Sequence, residues 1–171
     1  MSASDHEPDR YSAADNTMPL QLAGFRQKMV DAVATYESAT TTADIDALAG
    51  LFAEDCALVS PLAGRMVIRG RRDLRILAGA IYNQLHDLRW VDRWIGDSSA
   101  VIRAESRIGP FRLDDLMVLE FDADARIRRI RPHLRPLLAS LYLLVVLGAR
   151  LAPHPGLIRR ALRGEVLTHR S

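Results

Sequence analysis

One carboxylate in the sequence stands alone among apolar side chains. In FRLDDLMVLEF, strand alternation puts Phe111, Leu113, Asp115, Met117, Leu119 and Phe121 on one face. Asp115 is the only charge in that row. Among such neighbours its pKa would rise, making it an acid or base near neutral pH. The other reading leaves it solvated at the open end of the strand, near Gly109 and Pro110. A second acid, Asp92, lies between Trp90 and Trp94 in the period-two run LRWVDRWI. On one face the three would form an aromatic wall with one polar handle, suited to a planar polycyclic ligand. They would equally serve as interface aromatics. His86 precedes this strand and reads as a helix cap. His133 alternates with Pro132 and Leu134 and is expected to point away from their apolar face. No set of residues has metal-ligand spacing. GxGxxG and GxxxxGK[ST] patterns are absent, so neither a metal nor a nucleotide cofactor is expected.

These residues need elements to hold them. Leu22, Phe25, Met29, Val33 and Tyr36 recur at spacings of three and four, which predicts a helix over residues 18–40. Tyr36 on that stripe is either packing or chemistry. Asp44 is placed to cap a short helix through about Ala53. CALVS then reads as a strand ended by Pro61 and the turn around Gly64, and MVI as further extended chain. RRDLRILAGAIYNQL predicts a third helix with Leu74, Leu77, Ile81 and Leu85 on one face. Beyond it the period changes to two. LRWVDRWI, SAVIRAESRI, FRLDDLMVLEF and ARIRRIRPHL are strand-like runs separated by GDS, GP and DAD turns, hence antiparallel neighbours. Arg103, Glu105 and Arg107 fall on one face of their strand, Ala100, Ile102, Ala104 and Ile108 on the other. The charged row is expected outside. Three helices followed by an antiparallel meander is an α+β plan, and a curved sheet wrapping the helices would enclose a cavity.

The 171 residues suit one domain with a real core, and 49% of them are apolar. The single cysteine, Cys56, excludes an intrachain disulfide and reads as a buried small hydrophobe, consistent with a reducing, cytoplasmic compartment. Residues 1–17 are polar and acidic, without a signal peptide's basic and apolar regions, and are expected to be a disordered tail. Residues 1–125 carry 13 basic and 20 acidic side chains, whereas residues 126–171 carry ten arginines and one acid, Glu165. Such asymmetry points to an anionic partner, or to a basic end folded onto an acidic body. The arginines of RIRRIRPHLR are strand-spaced without aromatics, so nucleic acid is not expected. Residues 137–149 are apolar on every helical face but too short to span a bilayer. They must be covered by the cavity mouth, by a dimer partner or by a membrane surface touched peripherally from the inner side. The regions expected are therefore a tail (1–17), a domain (18–136) and an apolar, basic helical extension (137–171).

The segments TYESATTTADIDALAGLFAEDCALVSPLAG (35–64), IRGRRDL and LEFDADARIRRIRPHLRP (119–136) give the chain a familiar order of elements. It resembles the NTF2-like superfamily, and within it the SnoaL-like and ketosteroid-isomerase-like proteins, over residues 18–136. The resemblance implies a cone-shaped α+β barrel with a deep apolar pocket, and a homodimer in many relatives. Ketosteroid-isomerase-like members use a tyrosine and a late-strand aspartic acid as donors to an enolate, and an aspartate base before a proline. Counting back from Pro61 without gaps, Tyr36 matches the tyrosine. Ser60 stands in the base position, and Met117 in the late-strand acid position. A serine hydroxyl is not basic enough to take a carbon-bound proton, so conventional ketosteroid isomerase chemistry is not expected. Epoxide-hydrolase-like relatives use an arginine bracketed by aspartates. Arg103 and Glu105 look superficially similar, but the chain has no acid near Pro132.

The expectation is thus a protein that binds a small lipophilic molecule. If it catalyses, Tyr36 is the donor, Asp115 or Asp92 the acid or base, and Ser60, Phe52, Trp90, Trp94 and Met117 line the site. The reaction would be a cofactor-free isomerisation or cyclisation of a ketone, polyketide-like or steroid-like substrate. The rival is a non-catalytic module that uses the C-terminal helix for a partner or a membrane.

Overall fold

The computed structural model describes residues 20–62 and 66–163; the expected N-terminal tail lies outside them. The first helical stripe forms α1 (Leu20–Thr41), which buries Met29, Val33 and Tyr36. At its end Thr40, Thr41 and Thr42 turn their hydroxyls back onto the carbonyls of Tyr36, Glu37 and Ser38 at 2.7, 2.7 and 3.0 Å. Hydroxyls bonded this way compete with the helical ladder, and Ala43 at φ 53° breaks it. Asp44 then caps α2 (Ile45–Gly50), accepting from the Ala47 amide at 3.0 Å. This helix stops short of the expected Ala53. Phe52 and Ala53 instead open β1 (Phe52–Val59), because the Leu51 carbonyl is taken by the Ile127 amide at 2.8 Å and draws the chain into the sheet.

After β2 (Val67–Arg69), Gly70 sits at φ 85°, a conformation that favours glycine, and leads into α3 (Arg71–Tyr82). Four long strands follow: β3 (His86–Ile95), β4 (Ser99–Ile108), β5 (Phe111–Phe121) and β6 (Ile127–Arg135). The sheet order is β2-β1-β6-β5-β4-β3. Neighbours are antiparallel except β1 and β6, which run parallel. The four runs expected to be antiparallel neighbours are so, and β1 joins them in parallel through β6. No short-turn rule covers a pair separated by most of the domain. The sheet is open, with β2 and β3 as its edges, and the main core lies between it and the helices.

The apolar C-terminal run forms α4 (Leu137–Leu151), and α5 (Pro155–Leu162) follows. Ala139 and Leu143 pack with Ile108 and Leu113 in a second cluster, while Leu151, Leu157 and Ala161 join the main core. Tyr142 is seated on the β4–β5 turn. Its ring lies 5.4 Å from that of Phe111, and a Cβ at Gly109 would come within 2.7 Å of it. Arg160 reaches from α5 to Asp73 on α3, its Nη2 and Nε 2.7 and 2.9 Å from the carboxylate oxygens. Asp73 is buried whereas Arg160 is largely exposed. A half-exposed ion pair is worth about 1 kcal/mol or less, against about 1.5–3 kcal/mol for each fully buried leucine. Packing of Leu151 and Leu157 therefore holds the extension on, and the ion pair orients it. Arg129 and Arg131 on β6 likewise pair with Glu120 on β5. Part of the basic end is thus folded onto acids of the body.

Candidate functional site

A cavity of about 270 Å³ lies between the sheet and the helices. Leucines, isoleucines and alanines make most of its wall. α4 forms one side with Leu143, Leu144, Leu147, Gly148 and Leu151, and α5 adds Ile158. The polar side chains that reach it are few: Tyr36, Ser60, Tyr82, Trp90, Ser106 and Asp115.

α1 delivers Tyr36 from the buried stripe. Its hydroxyl lies 2.7 Å from that of Tyr82, which α3 brings in from its last turn. The Tyr36 hydroxyl also donates to Met117 Sδ at 2.9 Å. With that proton on the sulfur, Tyr82 is the donor between the two phenols. Burial pushes both pKa values above the usual tyrosine range; the Tyr82 contact raises that of Tyr36 further, while the same hydrogen bond pulls that of Tyr82 partly back. Both rings therefore stay protonated at any physiological pH and serve as donors, not bases. Met117 occupies the place where the resemblance has an acid, and there it accepts through a weak sulfur acceptor.

Asp115 faces the cavity from β5, as alternation requires, with Leu113, Met117, Leu119 and Phe121 buried on the same face. Its Oδ1 is buried with no hydrogen-bond partner among the described residues. Burial lifts its pKa from the ordinary 3.8 to about 7, opposed only by a hydrogen bond from the His133 backbone. Leaving a buried polar atom unsatisfied is costly and calls for an explanation. A proton on Asp115, or a ligand group that meets it, supplies one.

Trp90 is fixed by its indole N–H, which donates to Thr40 Oγ1 at 3.1 Å and to the Glu37 carbonyl at 3.2 Å. Its ring stands edge-on to Tyr36 with centroids 5.8 Å apart. Phe52 and Met117 line the cavity, as does Ser60, whose Oγ accepts from the Leu62 amide at 3.3 Å. Asp92 and Trp94 do not share this face. The pairing of β3 with β4 shifts between Trp90 and Asp92, so two residues of β3 face one step of β4. Past this bulge the parity is reversed. Asp92 meets Arg103 Nε at 2.8 Å on the outer face, and Trp94 is 54% exposed. The expected wall of Trp90, Asp92 and Trp94 is therefore corrected to Trp90 alone. Arg103, Glu105 and Arg89 form an outer network with Asp92, as the charged row predicts. His133 is exposed while Pro132 and Leu134 line the cavity. Cys56 is buried, its thiol pushed up to about 12 by desolvation. Two polar cavity residues were not expected, Tyr82 and Ser106. Leu74, Ala78 and Tyr82 share a helical row, and Ser106 alternates with Ala104 and Ile108, so both carried a signal.

Set beside solved structures, this arrangement of helices on an open six-stranded sheet is matched closely. A protein with a cystatin-like fold from Silicibacter pomeroyi superposes with a TM-score of 0.73 at 16% identity, over 80% of this chain and 98% of that one. A steroid delta-isomerase from Pseudomonas aeruginosa gives 0.69 at 21% identity, over 75% and 95%. An NTF-2 like protein from Burkholderia xenovorans gives 0.58 at 15% identity, over 67% and 92%. The chain has the NTF2-like fold. Other proteins of the fold include an epoxide hydrolase-like protein and an epoxide hydrolase/cyclase-like enzyme. At these identities the fold is shared and the reaction is not thereby fixed. No protein-family model matches the sequence. No curated protein matches it either.

Proposed function

We propose that the cavity binds a compact lipophilic unsaturated ketone and moves a proton from the carbon next to its carbonyl group to a carbon further along the conjugated system. The observation that carries this reading is a lone carboxylate with one buried oxygen that has no partner among the described residues, in an apolar cavity that also holds a pair of tyrosine hydroxyls. The carboxylate of Asp115 takes a proton from the carbon α to the carbonyl. The electron pair left behind becomes an enolate, whose oxygen accepts a hydrogen bond from Tyr36, while the Tyr36 oxygen accepts one from Tyr82. Asp115 then returns the proton to another carbon of the conjugated system, giving the isomer with no net change in atoms or charge. The Asp115 pKa of about 7 suits both halves of this transfer. Donors held in a dry site stabilise the oxyanion without reorganising water. Tyr36 must turn its proton from Met117 to the ligand, a local rotation.

The test is deuterium exchange from solvent into an unsaturated cyclic ketone, followed by NMR. Asp115→Asn is expected to lower the exchange by about 10²–10⁴-fold, and Tyr36→Phe or Tyr82→Phe by about 10²-fold. Exchange that survives Asp115→Asn unchanged would sink the proposal. Ser60 in the position of the resemblance's base favours a second reading, in which the same cavity only carries its ligand. A ligand that binds wild type and Asp115→Asn equally and comes out unaltered would support that reading instead.

A further inference from the structure

The inner face of α4 is occupied by the cavity and the second core cluster, but its outer face is not. Leu137, Leu138 and Val145 are 69, 65 and 71% exposed, and Leu141 and Leu144 are exposed beside them. At 100° per residue, Leu137, Leu138, Leu141, Val145 and Ala149 fall on one side. That side carries no charge. Patches of this kind mark interaction sites. We propose that this face docks on the surface of an anionic lipid bilayer, with α4 lying in the headgroup plane.

Charge identifies the occupant. Residues 137–163 contain four arginines and no acid. Arg160 is engaged by Asp73, but among the described residues no carboxylate pairs with Arg150, Arg159 or Arg163. Arg135, two residues before the helix, is mostly exposed and pairs with Asp114 at 3.6 Å. An apolar helix followed by exposed arginines that no described carboxylate meets complements anionic headgroups. A protein partner would need directional polar contacts for specificity, and the one polar side chain at the margin of the face, Tyr142, is turned to Phe111 and Gly109. The geometry permits lying on a membrane rather than crossing it. The 15 residues of α4 span about 22 Å, short of a hydrocarbon core of about 30 Å. Among the described residues no helix is long and apolar enough to cross. This proposal uses nothing of the cavity's chemistry and stands apart from the ketone reading.

The experiment is flotation of the full-length chain with vesicles of phosphatidylcholine and phosphatidylglycerol in equal parts, against phosphatidylcholine alone. Two double variants accompany it, Leu141→Glu with Val145→Glu and Arg159→Glu with Arg163→Glu. All four positions are exposed, so folding is retained, and melting curves check it. Wild type is expected to float with the anionic vesicles, and each variant to partition about tenfold more weakly or worse. Wild type that stays in solution with both vesicles overturns the proposal. So does equal flotation of the variants. A dimer in sedimentation that Leu141→Glu with Val145→Glu splits, without flotation of wild type, would assign the face to a second copy.

Discussion

Asp115 has its proton bound to a higher pH in the folded chain than in the unfolded one. Folding therefore takes up a proton between about pH 4, near the unfolded pKa, and about pH 7, the folded pKa. The unfolded state binds fewer protons across that window, so stability falls as pH rises through it. The contribution is full below about pH 4 and gone above about pH 7. Three pKa units correspond to about 4 kcal/mol at most. Asp115→Asn removes this dependence. The variant is expected to gain stability over wild type as pH is raised from 4 to 8, by a few kcal/mol at the top. Thermal melts of both proteins across that range check the difference, and parallel curves would mean that Asp115 is solvated. Much of this residue's setting was legible in sequence, because a strand's alternation is strict and only one charge sits on the apolar side of β5. Tyr82 was obscured because Ile81, one residue earlier, carries the apolar stripe as read from Leu74 and Leu77. Asp92 and Trp94 were misplaced by a bulge that reverses parity, and nothing in LRWVDRWI marks it.

At the scale of elements, the C-terminal extension has two fastenings that respond differently to change. Gly109 has φ 52°, and a Cβ there would meet the Tyr142 ring at 2.7 Å. Gly109→Ala is expected to cost about 1–3 kcal/mol through strain at the turn and displacement of the ring. Hydrogen exchange should rise in α4 while β3 stays protected. Arg160→Met leaves the buried Asp73 carboxylate without its partner. A loss of about 1–3 kcal/mol follows, read as faster exchange over residues 155–163 with the sheet unchanged. Uniform destabilisation of the whole chain in either variant would show that the extension does not open separately. The helices, the four long strands and the apolar final helix were legible from periodicity and turn residues. The parallel pairing of β1 with β6 was not, because it joins segments that no local pattern relates.

Over the whole molecule, the C-terminal extension adds a wall to the cavity between the three earlier helices and the sheet. At about 270 Å³ the cavity is at the lower edge of small-molecule sites, which run from roughly 300 to 1,000 Å³. Affinity in a series of cyclic ketones is therefore expected to peak at one or two fused rings and to fall at four, measured by calorimetry. A four-ring ketone that binds as well as the smaller ones would require α4 to have moved, and hydrogen exchange in α4 would then increase with ligand. The contact of Trp90 with Tyr36 bears on how such a series is followed. The two indoles are in opposite settings, one edge-on to a phenol in the cavity wall and the other in water on the far side of the sheet. Replacing Trp94 by phenylalanine leaves Trp90 as the one indole, so emission excited at the red edge, where tyrosine does not absorb, comes from the cavity wall. Occupancy then becomes visible as a change in the colour and intensity of that light, with no label and no knowledge of what the occupant is.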